Sequence, residues 1–320
     1  MRGPTPNERL MLRQYPQSPV KPVQTTESAP AAAPSDGSPT AAGALPNLII
    51  IGAQKCGTSG LHYHLGLHPE ISMSRPKELN FFIEERNWPR GQDWYRRQFD
   101  PEAKVRGEAS PNYTAFPQHV GVPERMAQVV PDAKLIYVLR DPLERIAAHW
   151  VHNFAKRREK GTLAETLSHP NTSYLQRSQY AMQLQQFLNH FPRESIMILD
   201  QEDFRKDRAE TLRRVFEFSG ADPEFTHPGF VRERHATSRK TRATKLAVRM
   251  ESMSKSRWGR VVPPKLWFAL DERLPMKKAI ERPDVRLALS DEALRALRDD
   301  AERMRELAGR PFRDWSIWQA

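Results

Sequence analysis

The sequence predicts an α/β fold of three layers, a central parallel sheet with helices on both faces. Short apolar runs at 48–51, 134–139 and 195–200 read as buried strands, and segments of helical periodicity lie between and after them. The first run breaks into Gly52-Ala53-Gln54-Lys55-Cys56-Gly57-Thr58-Ser59, a loop bounded by glycines. A strand–loop–helix of this shape turns backbone N–H groups and a helix N-terminus onto one point, where phosphate binds. The fold expected is therefore P-loop-like.

The elements follow in order. Residues 1–46 hold nine of the chain's 27 prolines amid Ala, Ser and Thr, so this Pro/Ala/Ser-rich stretch is expected to be a disordered leader. Its start, Met1-Arg2-Gly3-Pro4, is not followed by the apolar region of a secretory signal. The folded domain is assigned to 47–320. After the first strand and its loop, Leu61, Leu65 and Leu67 fit a helix. Pro76 opposes a helix through its own position, so Lys77-Glu78-Leu79-Asn80-Phe81-Phe82 is expected as a loop leading into a short apolar element. Residues 104–113 read as a short strand ending in the polar turn Ser110-Pro111-Asn112.

The strand at 134–139 ends at Arg140-Asp141-Pro142, and the proline suits the first turn of a helix reaching about Phe154. Between 176 and 191, Tyr180, Leu184, Phe187, Leu188 and Phe191 share one helical face. The strand at 195–200 leads to a helix carrying Leu212, Val215 and Phe216, with Gly220 as its C-cap. Residues 230–285 are basic and irregular. A final helix spans 290–309, capped by Ser290 and closed by Gly309, with Leu294, Leu297, Ala301, Met304 and Leu307 facing inward.

Composition narrows the function. The 50 Lys and Arg exceed the 39 Asp and Glu, giving a net charge of +11. The aromatics are not interleaved with the basic residues, and no zinc-finger or helix-turn-helix signature is present, so no nucleic-acid partner is expected. A pocket for a phosphorylated nucleotide explains the charge more economically. The lone cysteine, Cys56, excludes an internal disulfide and fits a reducing compartment. No stretch approaches the length of a membrane span, so no integral membrane segment is expected and the location expected is cytoplasmic.

The loop nearly fits the Walker pattern G-x-x-x-x-G-K-[ST], with Gly52 and Gly57 five apart, but Thr58 stands where the lysine belongs. The lysine lies inside the loop, at Lys55. In open α/β sheets ligands sit beyond the carboxyl ends of the strands. Lys55, Glu108, Arg140 and Glu202 all fall just past predicted strand ends and are expected to converge there.

Together these segments resemble the sulfotransferases that use 3′-phosphoadenosine 5′-phosphosulfate (PAPS), in particular the glycan (heparan-type) branch and its bacterial relatives. The resemblance runs from Leu48 to about Gly220, with a weaker echo at Leu307-Ala308-Gly309-Arg310-Pro311-Phe312-Arg313-Asp314-Trp315. It implies transfer of a sulfuryl group from PAPS to a hydroxyl acceptor, a glycan or other small metabolite, with no metal. Gln54, Lys55, Cys56, Gly57, Thr58 and Ser59 would form the 5′-phosphosulfate loop. Arg140 would bind the 3′-phosphate, Tyr180 would belong to the nucleotide site, and the basic loop Arg239-Lys240-Thr241 would close over it. Lys55 would stabilise the leaving oxygen, and Glu78 would serve as the base, with Glu108 and His149 as alternatives. One departure is Ala148, where the family usually has a serine eight residues after the arginine. Two rival readings stand beside this one. The first is a magnesium-dependent P-loop kinase with 196–200 as its metal-holding strand, opposed by the absence of a lysine at 58. The second is a non-catalytic nucleotide- or glycan-binding module, which Ala148 keeps open.

Overall fold

The computed structural model describes residues 43–169, 171–231, 241–243 and 277–319, with the backbone alone for 241–243 and 277–279. Residues 1–42 of the expected leader lie outside the described residues. Five strands form the sheet: β1 (Leu48–Gly52), β2 (Ile71–Met73), β3 (Val105–Ala109), β4 (Lys134–Leu139) and β5 (Ile196–Asp200). They pair in parallel in the order β2-β3-β1-β4-β5, with Leu48 opposite Gly107 on one side and Lys134 on the other. Each residue of β1 is buried, which is why its sequence is continuously apolar rather than alternating. β2 escaped the sequence reading because three residues give no usable pattern.

From β1 the chain crosses to β2, returns through β3 and then passes to β4 on the far side of β1. The connections on the two sides of β1 thus diverge at its carboxyl end, where an open α/β sheet places a ligand crevice. The helices are α1 (Thr58–Leu65), α2 (Gly91–Arg96), α3 (Val122–Val129), α4 (Pro142–Ala155), α5 (Leu163–Leu167), α6 (Ser173–Gln176), α7 (Tyr180–Leu188), α8 (Gln201–Lys206), α9 (Arg208–Ser219) and α10 (Asp291–Ala308). This is the α/β, P-loop-like architecture that the sequence predicts. Among the described residues, no helix is long and apolar enough to cross a membrane.

α4 starts as its sequence dictates. Pro142 needs no N–H partner in the first turn, and the Asp141 carboxylate accepts from the N–H groups of Leu143 (2.8 Å) and Glu144 (3.2 Å). The helix expected over 176–191 is instead broken between Gln176 and Tyr180. The break has a tertiary cause. Asp300 of α10, fully buried, accepts from the N–H groups of Ala181 and Met182, both at 2.9 Å, and so caps a fresh helix start at Tyr180. Asp300 lies on the buried face of α10 with Ala293, Leu297, Ala301 and Met304, whereas Leu294 and Leu307 are only half-buried.

A second buried carboxylate holds the edge of the sheet near β1. Glu108 of β3 is fully buried and accepts from the hydroxyls of Tyr95 (2.5 Å), Tyr113 (2.8 Å) and Ser110 (2.9 Å). Those hydroxyls in turn accept from the backbone of the next loop, Ser110 from Asn80 N–H and Tyr113 from Phe81 N–H, both at 2.9 Å. Burial raises the Glu108 carboxyl above its ordinary value, and the three donors oppose that rise.

Two outcomes are expected. Glu108→Ala strands three buried hydroxyls and should cost on the order of 3 kcal/mol in a denaturant melt. Glu108→Gln, which keeps an acceptor oxygen, should cost less. For Asp300, burial pushes the carboxyl from its ordinary 3.8 up to about 6, against the pull of its N–H donors. A folded value above the unfolded one means that the folded state holds the proton more tightly. The stability gained from that proton is complete below pH 3.8 and is lost as pH rises through about 6. The difference in melting temperature between the native chain and Asp300→Asn should therefore change across that window; a difference independent of pH would contradict this account.

Candidate active site at the end of the first strand

A cavity of about 770 Å³ opens at the carboxyl ends of β1 and β4. The loop after β1 and the first turn of α1 contribute Gln54, Lys55, Gly57, Thr58 and Ser59, and the end of β4 contributes Arg140. Glu78 and Arg86 enter from the segment after β2, Pro111 and Asn112 from the turn after β3, and His149, His152, Asn153 and Lys156 from α4. Arg158, Ser173, Arg177 and Gln201 complete the wall. Among the described residues, six cations, Lys55, Arg86, Arg140, Lys156, Arg158 and Arg177, thus face one carboxylate, Glu78. Such an excess of one sign in a concave site attracts a polyanion.

The loop is shaped by close approach. A Cβ on Gly52 would lie 2.0 Å from Thr114 Oγ1 and 2.9 Å from the Tyr137 ring, so no side chain fits there. Gly57, at φ 96°, ends the loop as the N-cap of α1, with no side-chain cap and no acidic residue in the first turn. No side chain of the loop caps the first-turn N–H groups of Thr58 and Ser59, which with the positive dipole end of α1 face the cavity. Lys55 (φ 75°) and Glu78 (φ 66°) both adopt left-handed backbone. That conformation costs a non-glycine residue on the order of 1–3 kcal/mol and clusters at functional sites.

Glu78 is fixed through its backbone. Its N–H donates to Ala109 O (3.1 Å) and its C=O accepts from Asn80 Nδ2 (2.7 Å), while the carboxylate pairs with Lys77 at 2.9 Å and stays 47 % exposed. Asn80 Oδ1 accepts from Asn112 Nδ2, and Asn112 Oδ1 accepts from Arg177, each at 3.0 Å. The loop of Glu78 is thus linked to Arg177, whose other nitrogens donate to Gln118 Oε1 at 3.1 and 2.8 Å. Arg177 is buried against these amide oxygens, and burial pulls its guanidinium down to about 10. Arg140 donates to Glu144 at 2.8 Å, and Arg282 pairs with the same carboxylate.

The expected site residues divide into groups. Gln54, Lys55, Gly57, Thr58, Ser59, Glu78 and Arg140 come together around the cavity. Cys56 and Tyr180 do not line it. Both are fully buried beneath the loop, with Cys56 Sγ 3.5 Å from the Tyr180 hydroxyl, and that hydroxyl donates to Arg140 O at 2.8 Å. Burial pushes the Cys56 thiol up to about 11, so it is protonated and serves packing. Arg239 and Lys240 lie outside the described residues. Thr241 opens β6 (Thr241–Ala243), which pairs antiparallel with β7 (Lys277–Ala279) inside the segment read as irregular.

Of the four residues expected at strand ends, only Lys55 and Arg140 meet at the cavity. Glu108 is sealed in its hydroxyl network, and Glu202 pairs with Arg205 at 2.6 Å. Ala148 is buried behind the wall, whereas its neighbour His149 lines it. Sequence reasoning named His149 as an alternative base but missed Arg86, Arg177 and the rest of the polar face of α4. The α4 face had a signal, because positions 149, 152, 153 and 156 follow helical spacing. Arg86 and Arg177 had none, since tertiary packing alone turns them inward.

Comparison with known proteins agrees with this geometry. The model of the sulfotransferase domain matches residues 45–259. Mouse heparan sulfate glucosamine 3-O-sulfotransferase 3A1 is 32 % identical over 187 residues, 55 % of this chain and 46 % of the relative. Human bifunctional heparan sulfate N-deacetylase/N-sulfotransferase 3 is 31 % identical over 205 residues, 57 % of this chain but 23 % of the relative. The chain thus spans less than half the length of these curated relatives. A crystal structure of a sulfotransferase from Alicyclobacillus acidocaldarius superposes with a TM-score of 0.59 at 25 % identity, covering 85 % of this chain and 99 % of that one. With a Lys-bearing loop at the mouth of β1, a cation-lined cavity and a family match over more than half its length, the chain belongs to the sulfotransferase family.

Proposed function

We propose that this chain moves a sulfuryl group from PAPS to a hydroxyl of a glycan or smaller acceptor. The observation that carries this reading is the placement of Lys55, on left-handed backbone, beside a helix N-terminus without a side-chain cap, in a cavity whose described residues include six cations and one carboxylate. The fit to a polyanionic nucleotide rests on the same wall. Gln54 Oε1 is buried there without a hydrogen-bond partner among the described residues, and an acceptor left in that state awaits a donor such as a ligand hydroxyl or amine. PAPS would supply an activated sulfuryl group on a phosphate leaving group. The glycan acceptor is proposed because the two curated relatives above are named for heparan sulfate.

Each residue then has a task. Thr58 and Ser59 offer hydroxyls and first-turn N–H groups to the 5′-phosphate, and Arg140 offers its remaining nitrogens to the 3′-phosphate. Lys55 opposes the charge that grows on the oxygen joining phosphorus to sulfur. Glu78 takes the proton of the acceptor hydroxyl as its oxygen bonds to sulfur. Its side chain, 47 % exposed at the cavity, is within reach of an entering acceptor. Asp200, the residue a magnesium-dependent kinase would need at the end of β5, is engaged elsewhere. It accepts from Glu202 N–H (3.0 Å) and Trp315 Nε1 (3.2 Å), and it does not line the cavity. A cytoplasmic location, the expectation from the sequence, is part of this proposal and is read by following a tagged chain in fractionated cells.

Titration calorimetry with adenosine 3′,5′-bisphosphate and with ATP, each with and without a chelator, tests the donor. The bisphosphate should bind more tightly and be indifferent to the chelator; magnesium-dependent preference for ATP would return the kinase reading. In steady-state assays, Lys55→Ala should lower kcat by about a hundredfold or more, because its contact strengthens in the transition state. Arg140→Ala should instead weaken donor binding by roughly tenfold or more with a smaller effect on kcat, as expected for a clamp formed in the ground state.

A further inference from the structure

α4 turns His149 toward the cavity, and the reading above gives it no task. His149 is 5 % exposed, and its ring lies 4.4 Å from that of Tyr174. Its Nδ1 is sealed from solvent with no hydrogen-bond partner among the described residues. An N–H left unpaired in that position would be costly, which favours a bare Nδ1 and a proton on Nε2, the nitrogen left to meet a ligand.

We propose that His149, as a neutral imidazole, donates its Nε2–H to an oxygen of the phosphosulfate end of the donor at the Lys55 loop; this rests on the PAPS reading. The surroundings choose between the two tasks a histidine can have here. Burial first, then the charges of Arg145 on the same helix, Arg177 after α6 and Lys55 in the loop, with His152 one turn on, hold the ring well below its ordinary titration range. To act as the base, His149 would have to become an imidazolium beside three cations. Donating a hydrogen bond to an anion needs no change of charge and is favoured by the same cations. His149 and Lys55 line the same cavity, so a donor seated on the Lys55 loop lies in the space that the ring borders.

Binding of PAPS without acceptor, followed by calorimetry, tests the contact. His149→Phe keeps a ring against Tyr174 but has no donor, and His149→Gln returns a donor near the Nε2 position. His149→Phe should weaken PAPS binding about tenfold and leave adenosine 3′-monophosphate unaffected, while His149→Gln should come within about threefold of the native chain. An unchanged PAPS affinity in the Phe variant, an equal loss for both nucleotides, or a Gln variant no better than Phe overturns the proposal. If the native chain fails to bind PAPS, the donor reading itself falls; if it binds and the Phe variant binds equally, only the role of His149 falls. Should a thermal melt show either variant misfolded, ring nitrogen spectra of the native chain decide. PAPS should bring out a slowly exchanging Nε2 proton on a neutral His149 ring, and a spectrum indifferent to PAPS overturns the contact.

Discussion

The buried carboxylate of Glu108 is the constraint on which the acceptor side of this site depends. A carboxylate taken out of water is tolerated only when its oxygens are well supplied with donors. Tyr95, Tyr113 and Ser110 supply them from α2 and from the turn after β3. Because Tyr113 and Ser110 also receive the N–H groups of Phe81 and Asn80, the loop of Glu78 is fixed to the end of β3 through one polar cluster. The left-handed backbone of Glu78 can then be held, since the surrounding bonds over-determine it. Glu108 thus acts on the candidate base through two links and never faces the cavity.

On the opposite side, two buried arginines form no ion pair with a carboxylate among the described residues. Arg177 donates there to amide oxygens. Arg145 is fully buried with Ser178 Oγ and Tyr174 O as acceptors, and its Nη1 has no partner among the described residues. A buried guanidinium without a carboxylate is costly, and an anion in the adjoining cavity lowers that cost. The same field keeps His149 neutral, so two arginines define what a third residue on that wall can do. A site arranged in this way favours the ligand that carries its missing negative charge.

The carboxyl edge of β4 and β5 is tied down by the end of the chain. Asp141 accepts from Ser316 N–H, and Asp200 accepts from Trp315 Nε1 at 3.2 Å. Lys206 pairs with Asp314 at 2.7 Å, and Arg310 with Asp203. Trp315 is buried between Phe312, at 4.2 Å between ring centroids, and Tyr180, at 5.8 Å. Tyr180 in turn donates to the backbone of Arg140. The phosphate-facing arginine is therefore positioned from beneath by a segment more than a hundred residues away, although neither Tyr180 nor Cys56 touches the cavity.

Local pattern alone determined the strands β1, β4 and β5, the glycine-bounded loop and the proline start of α4, because burial on both faces, tight backbone approach and fixed φ each leave a mark within a few residues. The same marks placed Lys55 and Arg140 beside one another, since strand ends in a parallel sheet share an edge. Only the tertiary structure decided the break before Tyr180, for its cause is a carboxylate on α10. It also sent Glu108 into a hydroxyl network and Glu202 onto Arg205, because which way a residue past a strand end turns depends on its partners and not on its spacing. Arg86 and Arg177 became part of the wall for the same reason. A cation's sequence neighbours carry no record of the counter-ion it lacks, and that absence exists only once the chain has packed.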